Sequence, residues 1–179
     1  MITVVDNGRG AQEISHLLRA KSTVAKPKDA KEGPFIISDG RWSPESQKII
    51  SRLLEKTGKP VMGIGAGMGF LAAFCGAPVK ESKAMQKQES VSLKKPSPLL
   101  LDFRRVFTVV ETGNCVVQEL PENFSVHASS KSCEFEVIQD MERPFFGVHF
   151  NPELGQDGVR ILGNFEKFIN VWEKYHKRE

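Results

Sequence analysis

Residues 60–72 read PVMGIGAGMGFLA. A short, fully apolar run enters a glycine-rich turn and leaves as an apolar helical segment. A strand with no polar side must be covered on both faces, which points to a layered α/β sheet with helices above and below. Turns of this kind hold either a phosphate or a nucleophile. The dinucleotide fingerprint G-x-G-x-x-G fails in both frames, because the sixth position is Met68 from Gly63 and Phe70 from Gly65. A Walker loop fails as well, since no Gly-Lys-Ser/Thr follows. The nucleophile elbow, G-x-[Ser/Cys]-x-G between strand and helix, fits better. Gly63-Ile64-Gly65-Ala66-Gly67 keeps both flanking glycines, which let strand and helix pack closely. The apex is Gly65, which tolerates positive φ but carries no side chain to attack with. The plain alternative is a close-packing turn.

The first half of the chain alternates strand and helix. ITVVD (2–6) is a buried strand ending in Asn7-Gly8, and AQEISHLLRA (11–20) has helical spacing. PFIISDG (34–40) reads as the second strand. SPESQKIISRLLEKTG (43–58) is a helix that Ser43 caps, Pro44 starts and Gly58 closes, with Ile49, Ile50, Leu53 and Leu54 in one stripe. The elbow strand is then the third, followed by a helix ending near Gly76. The second half differs: SVSLKK, RVFTVVE, FSVHASS, EFEVIQD and FFGVHF are short strands, some of them antiparallel. Ile161, Leu162, Phe165, Phe168, Ile169 and Trp172 form the apolar face of a closing helix. No linker interrupts the pattern, so residues 1–179 read as one α/β domain.

Composition narrows the function. The net charge is +3 over 179 residues, with acids and bases interspersed. No basic stripe argues for nucleic acid, and no apolar run approaches the roughly 20 residues of a membrane span. The N-terminus lacks the features of a signal peptide. Cys75, Cys115 and Cys133 form no C-x-x-C pair, so neither a zinc site nor a disulfide framework is implied, and a reducing cytoplasm is the simplest setting.

GKPVMGIGAGMGFLA resembles the elbow of class I, triad-type glutamine amidotransferases, whose pattern is close to P-V-x-G-I-C-x-G-x-Q-x-x-A. RPFFGVHFNPELGQDGVRILGNF resembles that family's second signature, P-x-x-G-V-Q-F-H-P-E followed by G-x-x-I-L-x-N-F. MITVVDNG and LPENFSVHASSKSCEFEVI are similar to segments of the free-standing, archaeal-type glutaminase subunit of GMP synthases. The two signatures occur in the family order, the likeness runs through nearly the whole chain, and the length fits a lone glutaminase subunit. The resemblance implies a flavodoxin-like three-layer fold, with a central mixed, mostly parallel sheet and helices on both faces. It also implies an ammonia-supplying role in purine biosynthesis beside an ATP pyrophosphatase-type synthetase subunit, with no cofactor and no metal.

It further implies a Cys-His-Glu triad in which a thiolate attacks the glutamine amide, His moves protons and Glu orients the His. Residue by residue, Cys falls on Gly65, His on Asn151 and Glu on Glu153. An amide does not exchange protons near neutral pH, so Asn151 is no general base. The Gln four residues past the nucleophile is Gly69. The S-G-G-P turn of the oxyanion hole is Ser38-Asp39-Gly40-Arg41, where Asp39 repels a developing oxyanion if it points inward. The S-H-x-D-x-V segment is Thr112-Gly113-Asn114-Cys115-Val116-Val117, without its His and Asp. Gly40, Ala66, Gly67, Gly69 and His149 are the expected lining of the old pocket, His149 sharing a strand face with Asn151.

Among the remaining candidates, Cys75 stands ten residues past the apex, roughly 15 Å along a helix, and Cys133 has no obvious base. His16 and His127 read as exposed or structural. Two functions follow. One is a non-catalytic homologue that binds a small ligand, a synthetase or an active paralogue. The other is an amidotransferase subunit still supplying ammonia.

Overall fold

The computed structural model describes residues 1–83, 85–113 and 115–176. The chain runs β1 (Ile2–Val5), α1 (Ala11–Leu17), β2 (Ser22–Ala25), β3 (Phe35–Ile37), α2 (Pro44–Lys56), β4 (Val61–Ile64), α3 (Ala66–Phe74) and β5 (Val79–Glu81). It continues through β6 (Lys87–Leu93), β7 (Val106–Glu111), β8 (Cys115–Val117), β9 (Phe124–Ser129), β10 (Val137–Asp140), β11 (Phe145–Val148) and α4 (Gln156–His176). Short 3₁₀ turns at Pro98–Leu100 and Pro152–Leu154 precede β7 and α4.

Nine strands form one sheet in the order β2-β1-β3-β4-β11-β10-β9-β6-β7. The pairs from β2 through β11 are parallel, and those from β11 through β7 are antiparallel. Among the described strands of this sheet, β10 and β6 run against the direction the others share, so the sheet is mixed and mostly parallel. β5 and β8 pair separately.

Helices cover both faces. On one side Ile14, Ile161, Leu162 and Phe165 of α1 and α4 pack on Val4, Ile36, Met62 and Val148. On the other, Ile50, Leu54, Phe70 and Leu71 of α2 and α3 pack on Val5, Ile37, Val61 and Phe145. Period-2 alternation in β1, β3 and β4 splits their side chains between the two cores. The closing helix is amphipathic as the spacing requires, with Phe165 and Phe168 edge-on to Phe146.

Local signals explain most boundaries. The Ser43 hydroxyl accepts from Ser46 N–H at the start of α2. α3 ends in a Schellman turn: Gly76 has φ 94°, Gly76 N–H donates to Ala73 O, and Ala77 N–H donates to Ala72 O. Gly58 plays no such part. α2 stops at Lys56 because Thr57 is already extended, with φ −95°.

The elbow strand is the fourth in the chain, because β2 precedes it. β2 is an edge strand of four residues, flanked by Lys21 and Lys26 and without an apolar stripe. Edge strands are kept short and charged to discourage further pairing, and that hides them from periodicity.

The elbow depends on close approach. A Cβ on Gly63 would lie 2.6 Å from the Met68 backbone nitrogen, and one on Gly67 would lie 3.0 Å from the Ile37 carbonyl carbon. Gly63→Ala should therefore destabilise the fold by about 1–3 kcal/mol through overpacking against backbone. Urea unfolding checks this, with Gly163→Ala as control, where a Cβ meets nothing within 4 Å.

Candidate functional site

The elbow apex sits at the carboxyl end of β4, held on both sides. Gly65 N–H donates to Val148 O of β11 at 2.9 Å. The Ser38-Asp39-Gly40 turn follows β3, with Ser38 N–H on Val5 O. Gly65 has φ 54° and ψ −114°, a conformation that strains any residue with a Cβ. Its ψ also aims the Ala66 N–H out of the helix start.

That N–H is occupied. Asp39 points inward, fully buried, and its Oδ1 accepts from Ala66 N–H at 2.9 Å. In a nucleophile elbow the amide after the nucleophile is the one that holds an oxyanion. The carboxylate also takes up space: a Cβ on Gly65 would stand 2.6 Å from Asp39 Cγ. Asp39 Oδ2 accepts from the Thr112 hydroxyl at 2.7 Å and from Asn151 Nδ2 at 3.1 Å. The Arg9 guanidinium stands 3.7 Å away. These partners are all donors, as an ionised carboxylate requires, and the N-terminus of α3 favours its charge.

Asn151 is the hub of this knot. Its Oδ1 accepts from Thr112 N–H at 3.0 Å. Its Nδ2 donates to Asp39 and, at 3.2 Å, to Glu153 Oε1. A neutral amide thus bridges two carboxyl groups with its two N–H bonds. Glu153 Oε2 is buried without a hydrogen-bond partner among the described residues, and burial pushes the Glu153 pKa up. Beside it a cleft of about 340 Å³ is lined by Arg9, Glu13, Gln86, Thr112 and Glu153.

The other sequence candidates fall as follows. Gly40 packs on Asn7, whose carbonyl carbon would lie 2.7 Å from a Cβ. Ala66 and Gly67 form the first turn of α3, both buried. Gly69 faces Cys115, whose sulfur would lie 2.7 Å from a Cβ there and whose thiol donates to Gly65 O at 3.6 Å. His149 lines a different cavity, with Nε2 3.7 Å from Glu111 Oε2. Asn114 lies outside the described residues. Cys75 sits at the far end of α3, where its sulfur accepts from Arg143 at 3.0 Å. His127 is buried with Nδ1 on Pro96 O, and His16 is exposed.

Sequence reasoning passed over Cys115 and Arg9 as neighbours of the elbow. Cys115 had a signal, since its bulk pairs with the missing side chain at Gly69. Arg9 had none. Burial and the nearby Asp39 carboxylate push the Cys115 thiol up to about 12, so it is protonated and is no substitute nucleophile. Among the described residues no group of three or more His, Cys, Asp or Glu is placed to hold a metal ion. No described helix is long and apolar enough to cross a membrane.

Next to the site lies a second cluster of ionisable groups. Lys87 Nζ meets Glu111 Oε1 at 2.8 Å and Glu89 Oε2 at 3.0 Å, and these carboxylates hold its pKa up. Glu136 is fully buried, and among the described residues neither of its oxygens reaches hydrogen-bond geometry. Burial pushes it up to about 8, against a smaller pull from the Ser130 hydroxyl.

The profile of the family "Glutamine amidotransferase class-I" matches residues 4–168, and the chain belongs to that family. The A subunit of the glutamine-hydrolyzing GMP synthase of Pyrococcus furiosus is 30% identical over 183 residues, covering 93% of this chain and 97% of that protein. The protein of the same name from Pyrococcus abyssi is 29% identical with the same coverage. The chain is thus related to the GMP synthase glutaminase subunit. Among solved structures, a candidate GMP synthase A subunit from Thermoplasma acidophilum superposes with a TM-score of 0.89 at 24% identity, over 99% of this chain and 97% of that one. A glutamine amidotransferase from Thermotoga maritima gives 0.70 at 15% identity, over 99% of this chain and 85% of that one. Both share the flavodoxin-like three-layer fold.

Glu136 sets a pH dependence. Its folded pKa of about 8 lies above the ordinary 4.5, so the folded state holds the proton longer than the unfolded chain. Stability is therefore full below about 4.5 and falls as pH rises towards about 8, by on the order of 5 kcal/mol if nothing relaxes. Glu153 is raised as well and adds a slope of the same sign. Glu136→Gln should flatten most of this fall in urea unfolding between pH 5 and 8.5 and raise stability at the alkaline end.

Proposed function

We propose that this chain is a class-I glutamine amidotransferase homologue that does not hydrolyse glutamine and serves as a binding or regulatory protein. The observation that carries the reading is the Asp39 carboxylate seated on the Ala66 N–H, in the room an apex side chain needs. Three family requirements fail together at this point: the nucleophile at Gly65, the base at Asn151 and a vacant oxyanion site. The orienting acid remains as Glu153, turned to the Asn151 amide.

The partner would be a synthetase subunit of the ATP pyrophosphatase type or an active paralogue, met in the cytoplasm, with no part for nucleic acid or membrane. Residues 1–179 would act as one domain, and the cleft beside Glu153 could take a small ligand. A second reading is favoured by the names of the relatives matched nearly end to end, both glutamine-hydrolysing GMP synthase subunits. On that reading the chain supplies ammonia to a partner synthetase.

Ammonia release from glutamine decides between them. It should stay at background alone and with the synthetase subunit; turnover that copurifies with the protein and saturates with glutamine would overturn the proposal.

Reversal of the site gives a sharper check. Gly65→Cys with Asn151→His should remain inactive and lose about 1–3 kcal/mol, because the new Cβ strikes Asp39 and strains the apex. Adding Asp39→Gly should recover most of that stability, seen as a rise in Tm. It should also make a thiol at position 65 reactive towards a glutamine-mimicking chloroketone.

A further inference from the structure

A second cavity, of about 350 Å³, opens between α3, β8, the loop 130–136 and the end of β11. It shares no lining residue with the cleft beside Glu153. Met68, Val116, Val117 and Phe135 give it apolar walls, and Cys133 and His149 give it polar ones. His149 is only 8% exposed, yet its ring makes no hydrogen bond with any described residue. Unlike the neighbouring Glu111 Oε2, neither ring nitrogen is sealed from solvent, so the ring is open to a group bound in the cavity.

The surroundings define what would satisfy it. Glu111 Oε2 lies 3.7 Å from His149 Nε2 and has no hydrogen-bond partner among the described residues. Glu136, which burial keeps protonated up to about 8, adds no charge here. Lys87 is already engaged by Glu111 Oε1, Glu89 and Ser132. Glu134 stands at the rim. Glu111 and Glu134 therefore make the local field negative, and burial keeps the imidazole neutral, with one ring nitrogen free to accept.

A displaced Cys–His catalytic pair is the obvious rival. The Cys133 thiol, contrary to the sequence expectation, does have a histidine on its cavity. Burial and the Glu136 carboxyl push it up to about 12, so it lacks thiolate character and acts only as a weak donor.

We propose that this cavity is a binding site for a small organic cation, an amidine or amine carried on a flat apolar body, whose N–H group is accepted by His149. Its apolar body lies against Met68, Val116 and Phe135, and its charge faces the Glu111 side. The proposal goes beyond the functional reading above and stands whether or not glutamine is hydrolysed.

Benzamidine and its uncharged isostere benzamide test it on the intact protein by calorimetry and by the His149 ring-proton signals. Benzamidine should bind in the millimolar range expected of so small a ligand, and should shift the His149 signals. It should also slow maleimide labelling of Cys133 but not of Cys75. Benzamide should bind at least about tenfold more weakly, the discrimination one charge-assisted hydrogen bond gives. His149→Ala should remove that preference, and Val116→Trp should fill the cavity and abolish binding. Should either variant fail to fold, Gln118→Arg, exposed at the mouth, should still weaken benzamidine alone. Absence of benzamidine binding, equal binding of benzamide, or a preference untouched by these substitutions would overturn the assignment.

Discussion

A carboxylate with no exposed surface governs the architecture of this site. Burying Asp39 costs several kcal/mol of hydration unless charge-assisted bonds replace the lost water. The Ala66 N–H, the Thr112 hydroxyl and the Asn151 amide supply those bonds, and the N-terminus of α3 adds its dipole. Each surrounding residue follows from that need. Gly65 leaves room where any Cβ would strike the carboxylate. Asn151 provides two N–H donors on one nitrogen, so it can join Asp39 to Glu153, while its oxygen takes the Thr112 N–H. A neutral histidine has a single N–H and cannot make both of these bridges at once. Gly65, Asp39, Thr112 and Asn151 thus form one mutually dependent arrangement.

The scaffold is insulated from these exchanges. The elbow is placed by β4 lying parallel between β3 and β11, by Gly65 N–H on Val148 O, and by the two glycines that bring α3 onto the sheet. None of these contacts uses a side chain at the apex. Helices on both faces bury the strands whatever stands at their carboxyl ends. Parallel α/β sheets place their chemistry on connecting turns for this reason, and the turns can change while the core is kept.

The same separation decides what the chain discloses. Strands β1, β3, β4 and β11 were legible as short, wholly apolar runs, and helices α2 and α4 by apolar residues at helical spacing. The elbow was legible because Gly63 and Gly67 have one geometric use. β2 was hidden by its polar edge position, and β5 and β8 by being three residues each. Within the site, the losses at Gly65 and Asn151 can be read by position, but the direction of the Asp39 side chain cannot. It depends on partners 27, 73 and 112 residues away. The pairing of Lys87 with Glu111 and the approach of Cys115 to Gly69 are also products of strand register, which no local pattern encodes.

An emptied site and a refilled one impose different barriers to reversal. Deletion of a thiol and an imidazole alone would leave a vacant elbow that two substitutions could restore. Here the vacated volumes have new occupants: the Asp39 carboxylate at the apex, and the Cys115 sulfur where a side chain at position 69 would begin. Each occupant is bonded to the elbow backbone, Asp39 to Ala66 N–H and Cys115 to Gly65 O. A side chain restored at either glycine meets an atom that is itself held in place, so single reversals are penalised by overpacking and by the loss of a buried hydrogen bond. The substitutions are therefore coupled through shared volume and shared donors, and they must be exchanged as groups if the fold is to stay satisfied at every step.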